Sequence, residues 1–336
     1  MMQARRRGAA TRGSTRTRRL GGASTCVAAL STVVLATGCG SSAAKPSTGS
    51  TPSTSSASTG ASGSTVVTAV ATINAWGSIL AQLGGTHVHE TSIITNPDTD
   101  PHDYEPTPAD GRTIATAQLF VENSIGYDVW AAKALAANPD PNRTVINVGD
   151  LVGVADGGNP HRWYSPTDVE KVADTITADL KQIDPADAAY FDTERQTFET
   201  QGLAQYHQLI DEIKTKYAGT PVGASESIFA PLSDALGLDL LTPPSFLKAI
   251  SEGTDPSAAD KSTIDAQING KQIKVYVFNS QNSTPDVSEQ VKAARAHDIP
   301  VTTITETLSP ATASFQDWQV SQLQALATAL HQATGK

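Results

Sequence analysis

Cysteine is almost absent from this 336-residue chain, and its two cysteines, Cys26 and Cys39, both lie near the amino terminus. Residues 40–336 can therefore form no disulfide among themselves, so a folded domain there depends on a buried apolar core. The same absence excludes thiolate ligands from any metal site in that region. Imidazole and carboxylate groups are left, and they suit manganese, iron and zinc better than copper(I).

Positive charge is also scarce once the amino-terminal segment is left out. The first 19 residues hold seven of the 24 basic side chains, so 17 basic side chains face 34 acidic ones in the rest of the chain. Such an acidic domain lacks the basic surface that binds nucleic acid, and it favours cations in general. Aromatic residues make up only 5% of the chain, which argues against a large aromatic binding surface. Beyond the amino-terminal segment, no apolar run is long enough to span a bilayer.

Residues 1–38 have the pattern of an export signal. Residues 1–19 are rich in arginine and contain no acid, and the stretch from Leu20 to Thr37 is uncharged and largely small or apolar. The sequence Leu35-Ala36-Thr37-Gly38-Cys39 resembles the lipobox of bacterial lipoproteins. That resemblance implies cleavage before Cys39, lipidation of this cysteine and an extracytoplasmic protein anchored to the cell membrane. The alternative is a plain signal peptide in which Cys39 occurs by chance.

Residues 39–64 form a low-complexity segment that consists almost entirely of Ser, Thr, Gly, Ala and Pro after the cysteine. Such a segment has too little apolar surface to offset the entropy lost on ordering, so we expect a flexible tether. The folded part then begins near Thr65, and its length of about 270 residues is enough for two lobes.

Short β-branched runs alternate with helical patterns on both sides of residue 200. The predicted strands are 66–72, 88–94, 118–122, 144–148, 221–224, 273–278 and 300–305. The predicted helices with apolar residues on one face include 75–83, 286–297 and 315–332. This alternation predicts an α/β fold made of mostly parallel sheets flanked by helices.

Three helix starts share one layout: a capping oxygen, a proline at the first helical position and an acid two residues later. They begin at Thr107, Ser165 and Asp184. The third opens a helix that has no further proline up to Tyr217 and would span roughly 45 Å. The chain thus divides into an N-terminal lobe (65–184), a linking helix (185–218) and a C-terminal lobe (219–336).

Two histidines lie in loops that lead into helices. His102 precedes the capping residue Thr107, and His161 precedes Ser165. Two glutamates, Glu226 and Glu306, each follow a predicted strand, and the carboxyl ends of parallel strands are where open sheets place ligands. Two imidazoles and two carboxylates form a reasonable donor set for a divalent transition metal.

Each of these residues also has an ordinary structural interpretation. A single loop histidine is usually solvated or hydrogen-bonded, and a glutamate near a helix start is commonly a capping acid. His87 and His89 alternate in a predicted strand and are interpreted as surface residues, although a role as metal ligands stays open.

The two histidine motifs add a resemblance to a known family. Asp100-Pro101-His102-Asp103-Tyr104-Glu105-Pro106 resembles the first-ligand motif of the zinc- and manganese-binding solute-binding proteins of bacterial ABC importers. Asn159-Pro160-His161-Arg162-Trp163 resembles the second, in which Asp-Pro-His-x-Trp is usual. Glu226 lies eleven residues before Gly237, where that family has its third ligand, a histidine or a glutamate. The fourth is normally an aspartate after the last strand, and Glu306 falls near that point among different neighbours.

This resemblance implies two α/β lobes joined by one long helix, with His102, His161, Glu226 and Glu306 around a metal ion in the cleft between them. It further implies a monomer that delivers the ion to the membrane permease of an ABC importer, with no catalytic residues. Four protein ligands would close the coordination shell, which suits capture and delivery. A long rigid helix between the lobes should limit closure to small motions. Because both imidazoles must be deprotonated at one nitrogen, affinity should fall below about pH 6.5.

The identity of the metal follows less directly from the sequence. A glutamate as the third ligand adds an oxygen donor, and oxygen donors favour manganese or iron. Against this, zinc binds most sites of nitrogen and oxygen ligands more tightly than manganese does. The chain also lacks the His/Asp-rich loop that zinc-type members often carry. We therefore expect Mn²⁺ ahead of Zn²⁺, with Fe²⁺ as a further alternative.

Two other classes of function remain open at this stage. The first is a secreted zinc hydrolase that uses both histidines and one glutamate, with the other glutamate as general base. The chain contains neither a His-Glu-x-x-His helix nor a Gly-x-Ser-x-Gly elbow, which disfavours that interpretation. The second is a surface adhesin in which the metal is structural.

Overall fold

The structure is a computed structural model, and it describes residues 66–98 and 101–336. The predicted signal segment, the tether and Cys39 lie outside the described residues. Among the described residues, no helix combines the length and the apolar character that crossing a bilayer requires.

The first half of the described chain forms a four-stranded parallel sheet with helices around it. Its strands are β1 (Val67–Ile73), β2 (Val88–Ile94), β3 (Leu119–Glu122) and β4 (Thr144–Asn147). Its helices are α1 (Asn74–Gly84), α2 (Pro108–Ala115), α3 (Val129–Ala137), α4 (Val148–Val152) and α5 (Pro166–Ile183). The strand order is β2-β1-β3-β4. Strand β1 is central and almost entirely buried, as a continuous apolar run in a parallel sheet requires.

Helical turns then lead from the first sheet to the second, but they do not form the single regular helix that the sequence predicted. A 3₁₀ turn at Pro185–Asp187 precedes α6 (Ala188–Thr197), a π-helical stretch covers Phe198–Gly202, and α7 runs over Ala204–Tyr217. The spacing of the buried side chains explains the irregular stretch.

Buried aromatic residues recur seven residues apart at Phe191 and Phe198, but the next buried aromatic residue, Tyr206, follows after eight. In a regular α-helix that extra residue would turn Tyr206 away from the buried face. One additional residue in a π-helical turn restores the phase, and the backbone N–H of Leu203 donates to the Phe198 carbonyl at 2.8 Å.

The second half repeats the architecture of the first. Its strands are β5 (Pro221–Ala224), β6 (Asp239–Leu240), β7 (Val275–Asn279) and β8 (Val301–Ile304). Its helices are α8 (Ala230–Leu236), α9 (Pro244–Ser251), α10 (Ala258–Asn269), α11 (Pro285–Ala296) and α12 (Phe315–Thr334). The order β6-β5-β7-β8 matches that of the first sheet, so both halves share a topology that the sequence did not reveal as a repeat. We call Val67–Ile183 the N-terminal lobe and Pro221–Thr334 the C-terminal lobe.

One hydrophobic core extends through both lobes and the helices between them. Several large aromatic side chains meet in this core, where Trp163 lies 6.3 Å from both Trp76 and Tyr164 between ring centroids. Tyr164 in turn lies 5.5 Å from Trp318 of α12. A second, smaller apolar cluster, which includes Phe246, packs around β7 and its neighbouring helices. We expect the shared core to limit movement of the two lobes to small displacements, because close-packed interiors deform little.

The helix-start motifs are confirmed in part. Thr107 begins a full capping box with Asp110, followed by Pro108 at the first helical position. Helix α5 starts at Pro166 as predicted, although the Ser165 side chain makes no capping hydrogen bond. The Asp184 motif opens the 3₁₀ turn, so α6 starts three residues later than the motif indicates.

Candidate metal centre

His102 lies on a one-turn 3₁₀ helix, Pro101–Asp103, between β2 and α2. The capping box at Thr107 fixes where α2 begins, and the Tyr104 hydroxyl donates to Asp110 at 2.8 Å. These contacts hold the short segment between His102 and α2 against the lobe. The His102 side chain is 18% exposed, and its ring packs edge-on against Tyr127 with centroids 4.7 Å apart.

His161 lies in the loop between α4 and α5 and is fully buried. Its Nδ1 lies 2.8 Å from the Asn159 side-chain oxygen, and its ring packs edge-on against Trp163 with centroids 5.3 Å apart. The Asn159 oxygen also accepts a hydrogen bond from the His161 backbone N–H at 3.1 Å, which identifies this atom as the amide oxygen. An amide oxygen can only accept, so Nδ1 of His161 carries a proton and donates it to this oxygen. The lone pair of His161 is thus on Nε2, the atom that faces the two glutamates.

The two glutamates approach from the C-terminal lobe. Glu226 comes two residues after the end of β5 and precedes a 3₁₀ turn at Ser227–Phe229, and Glu306 comes two residues after the end of β8. Both are fully buried. Adjacent strands of a parallel sheet present their carboxyl ends at one edge, and both glutamates lie at that edge, which faces the N-terminal lobe.

The structure brings all four predicted residues together. One candidate ligand atom from each lies within 4.8 Å of those of the other three. His161 Nε2 lies 3.3 Å from Glu306 Oε2 and 3.8 Å from Glu226 Oε1, and His102 Nε2 lies 3.9 Å from Glu306 Oε1. Four ligand atoms placed tetrahedrally at about 2.0–2.2 Å from an ion would be about 3.4 Å from one another. The distances between the four side chains are slightly longer than this, so small inward movements of these side chains would let them bind a small divalent cation.

Two buried carboxylates lie side by side in the site, and their negative charges would repel each other if both were ionised. Burial raises the pKa of Glu226 well above its ordinary value, the charge of Glu306 raises this pKa further, and His161 opposes the rise. Both Glu226 oxygens are buried with no hydrogen bond of good geometry among the described residues. Buried carboxylates without donors are costly unless a proton or a cation neutralises them, so this pocket is suited to holding a positive ion.

Two residues that the sequence did not single out hold Glu306 in place. The Asn279 side-chain amide donates to Oε1 at 2.8 Å, and the Tyr127 hydroxyl donates to Oε2 at 3.3 Å. Asn279 ends strand β7, and Tyr127 comes from the N-terminal lobe. No motif marks either residue, because their role depends only on which side chains the fold brings next to Glu306.

A cavity of about 250 Å³ borders the site between the lobes. It is lined by His102 and Gly158 of the N-terminal lobe and by Ser227, Leu247 and Lys248 of the C-terminal lobe, among others. Of the four clustered residues, only His102 lines it. An ion from solvent would therefore meet His102 first and the three buried residues afterwards.

The other two histidines that the sequence left open lie elsewhere. His87 belongs to the 3₁₀ turn Gly85–His87, so it does not alternate with His89 on one strand as predicted. Its Nδ1 lies 2.8 Å from Asp187 Oδ2, within a small group that also includes Asp184. His89 is exposed and belongs to none of the three His–carboxylate groups found among residues 66–98 and 101–336.

Comparison with known proteins gives the chain its family. Residues 69–329 match the model of the family described as ZnuA, zinc-uptake complex component A, periplasmic. The chain is 25% identical over 177 residues to the manganese-binding lipoprotein MntA of Halalkalibacterium halodurans, which covers 51% of this chain and 58% of that protein. It is 23% identical over 212 residues to the high-affinity zinc uptake system protein ZnuA of Bacillus subtilis, which covers 56% of this chain and 63% of that protein. The matches thus span less than two thirds of these relatives.

The fold comparison is more extensive than the sequence matches. A mutant, metal-free periplasmic metal-binding protein from Candidatus Liberibacter asiaticus superposes with a TM-score of 0.66 at 19% identity, covering 79% of this chain and 99% of that one. At this identity the likeness concerns the fold. Since the family model covers most of the described residues, the chain belongs to the ZnuA family of periplasmic metal-binding proteins.

Proposed function

We propose that this protein captures a divalent transition-metal ion outside the membrane and delivers it to the permease of an ABC importer. The ligands in this proposal are His102, His161, Glu226 and Glu306. The observation that carries it is the pair of fully buried carboxylates facing His161 Nε2 at 3.3 and 3.8 Å. A cation at their centre would offset the cost of burying two like charges.

Capture follows from how the four groups are held. His102, partly exposed beside the cavity, would bind an incoming ion first, and His161, fixed by Asn159 with its Nε2 lone pair inward, would bind it next. Binding would displace the proton that burial favours on Glu226. The completed shell would contain four protein ligands, a closed arrangement that holds an ion without activating water. On this basis we propose a carrier and no enzymatic activity.

We propose Mn²⁺ as the cargo ahead of Zn²⁺, with Fe²⁺ as the alternative. Two carboxylates and two imidazoles give a donor set that is harder than a histidine-rich site, and harder ligands suit manganese and iron. Metal analysis of protein purified without chelator, followed by competition between Mn²⁺ and Zn²⁺, tests this choice. Retention of zinc alone in the presence of excess manganese would refute it.

Calorimetric metal titration of the purified full-length protein tests the site. His102→Ala and Glu226→Ala should each weaken binding by at least tenfold, because each removes one of four ligands. His89→Ala is the matched control, since His89 is an exposed histidine outside the cluster. Unchanged affinity in both site variants would refute the ligand assignment, and metal-dependent hydrolysis of ester or peptide substrates would favour the hydrolase instead.

We further propose the chain organisation predicted from the sequence. Residues 1–38 act as the signal peptide, Cys39 carries the lipid, residues 39–64 form the tether, and the lobes at 65–184 and 219–336 flank the linking segment 185–218 in a monomeric protein. Fatty-acid labelling in cells tests the anchor. Cys39→Ser should lose the label and release the protein from the membrane fraction, and continued labelling would refute it.

A further inference from the structure

We propose that two side-chain amides, Asn159 and Gln281, tie the lobes together at the ligands and set the rate at which the metal leaves. This inference rests on the proposed function. The oxygen of each amide accepts hydrogen bonds that orient one proposed ligand in its own lobe. The nitrogen of each amide donates to a backbone carbonyl of the other lobe. We call them the interlobe amides.

Asn159 belongs to the N-terminal lobe. Its oxygen accepts from both the backbone N–H and the Nδ1 of His161, at 3.1 and 2.8 Å. Its nitrogen donates across the cleft to the carbonyl of Ser227 at 2.7 Å. Ser227 directly follows Glu226, so this one amide links the segment of one ligand to that of another across the cleft.

Gln281 makes the corresponding links from the C-terminal lobe. Its oxygen accepts from the backbone N–H groups of Glu306 and Thr307, at 2.5 and 3.0 Å. Its nitrogen donates to the carbonyl of Pro97 at 2.7 Å, in the N-terminal lobe after β2, and to Thr307 Oγ1 at 2.8 Å within its own lobe. Asn159 thus links His161 to the residue after Glu226, and Gln281 links Glu306 to Pro97, which lies five residues before His102.

A carboxylate cannot replace either amide, because both ends of each link are needed. The oxygen faces backbone or ring N–H donors, and the nitrogen faces a carbonyl, so an Asp or Glu would keep the first contact and lose the second.

Two other interlobe contacts touch the ligands themselves: the Tyr127 hydroxyl donates to Glu306 Oε2 at 3.3 Å, and Ser227 Oγ lies 3.3 Å from His161 Nδ1. Neither Asn159→Asp nor Gln281→Glu removes the groups that make these two contacts.

Some further hydrogen bonds between the lobes lie away from the ligands. The backbone N–H of Phe315 donates to the Ser78 hydroxyl at 2.9 Å, where α12 packs on α1. Such contacts support the shared core. Separation of the lobes at the metal, in contrast, requires the bonds from Asn159 to Ser227 and from Gln281 to Pro97 to break, so these bonds add to the barrier for release.

The test replaces only the donating nitrogen, in Asn159→Asp and Gln281→Glu, and measures release of bound Mn²⁺ or Zn²⁺ into excess chelator by stopped flow. Each lost neutral hydrogen bond should speed release by about fivefold, and the double variant by about 25-fold. The added negative charge acts in the opposite direction, since by itself it would hold a cation more tightly. Faster release therefore identifies the lost interlobe bond, and slower or unchanged release overturns the proposal.

Three controls keep this result interpretable. Asn138→Asp removes the same type of donor from a bond to Ala134 within the end of α3 and should leave release unchanged. Thermal melts check that each variant folds. Should a charged variant not fold, the uncharged variants Asn159→Ala and Gln281→Met, which remove both ends of each link, carry the test; faster release is again expected, and unchanged release would contradict the inference.

Hydrogen exchange in the metal-free protein gives a readout that needs no metal. Asn159→Asp should increase exchange in residues 225–230, and Gln281→Glu should increase it in residues 95–98, because each loses its tie to the opposite lobe. Unaltered exchange in both segments would overturn the inference. If the wild type bound no metal, the proposed function would fail, whereas the exchange measurement would still decide whether the amides couple the lobes.

Discussion

The buried carboxyl group of Glu122 should make the stability of the metal-free protein depend on pH. Glu122 ends strand β3 and is 8% exposed. Burial raises its pKa from 4.5 to about 7, and the charges of Asp128 and Asp150 add to the rise, while a 3.0 Å hydrogen bond from Asn147 opposes it. The folded protein thus holds this proton more tightly than the unfolded chain does.

The direction of the effect follows from that difference. Below about pH 4.5 Glu122 is protonated in both states, and its ionisation costs no folding free energy. As pH rises towards 7 and beyond, the unfolded chain ionises first, and stability falls until the folded state ionises too. The rise from 4.5 to about 7 corresponds to about 3 kcal/mol, and we expect about 2 kcal/mol because water partly screens the group.

The variant Glu122→Gln removes this titration and keeps an oxygen that can accept from Asn147. Urea unfolding in the presence of chelator should show nearly equal stability of variant and wild type at pH 4.5. The variant should be about 2 kcal/mol more stable at pH 8. Glu289→Gln, at a side chain that is 75% exposed, is the control and should show no such trend. A Glu122→Gln effect of the same size at both pH values would refute the reasoning.

Three further predictions concern packing, metal binding and lobe motion. Gly84→Ala should destabilise the protein by about 1–3 kcal/mol, because a Cβ there would lie 2.3 Å from Val88 Cβ. In contrast, a Cβ at Gly111 within α2 would have no atom within 4 Å, so Gly111→Ala should stabilise the protein by about 0.5–1 kcal/mol. Equal free energies of unfolding for the two variants in urea would contradict both predictions. Saturating metal at 100 times the dissociation constant should raise the free energy of unfolding by about 2.7 kcal/mol, seen as a thermal shift that chelator reverses and that Glu226→Ala lacks. Because one core runs through both lobes, small-angle scattering should show almost no change in the radius of gyration on metal addition, and a large change would indicate a hinged cleft.

Local signals in the sequence were sufficient for most of the secondary structure. The predicted strands 88–94 and 221–224 match β2 and β5, and the cap at Thr107 is followed by α2 at Pro108. These elements were predictable because apolar periodicity and capping act over a few residues. The linking helix was predicted less accurately, since the eight-residue step from Phe198 to Tyr206 was not interpreted as a π-helical turn.

The sequence by itself singled out the four candidate ligands, from the position of each residue after a strand or before a helix and from the resemblance of their motifs to those of a known family. It also limited the donor atoms to imidazole nitrogen and carboxylate oxygen, because no cysteine follows Cys39. Only the tertiary structure decided how far these ligands are from one another and what surrounds them. His102 and Glu306 are more than 200 residues apart in the chain, yet His102 Nε2 and Glu306 Oε1 lie 3.9 Å apart.

The supporting residues belong wholly to the tertiary structure. Tyr127, Asn279 and Gln281 carry no motif, and they matter because the folded lobes place their donors and acceptors against Glu306. Hydrogen bonds of this kind depend on distances and angles between segments far apart in sequence, which no local pattern encodes. The burial that raises the pKa of Glu226 likewise arises only when two lobes share one core around it.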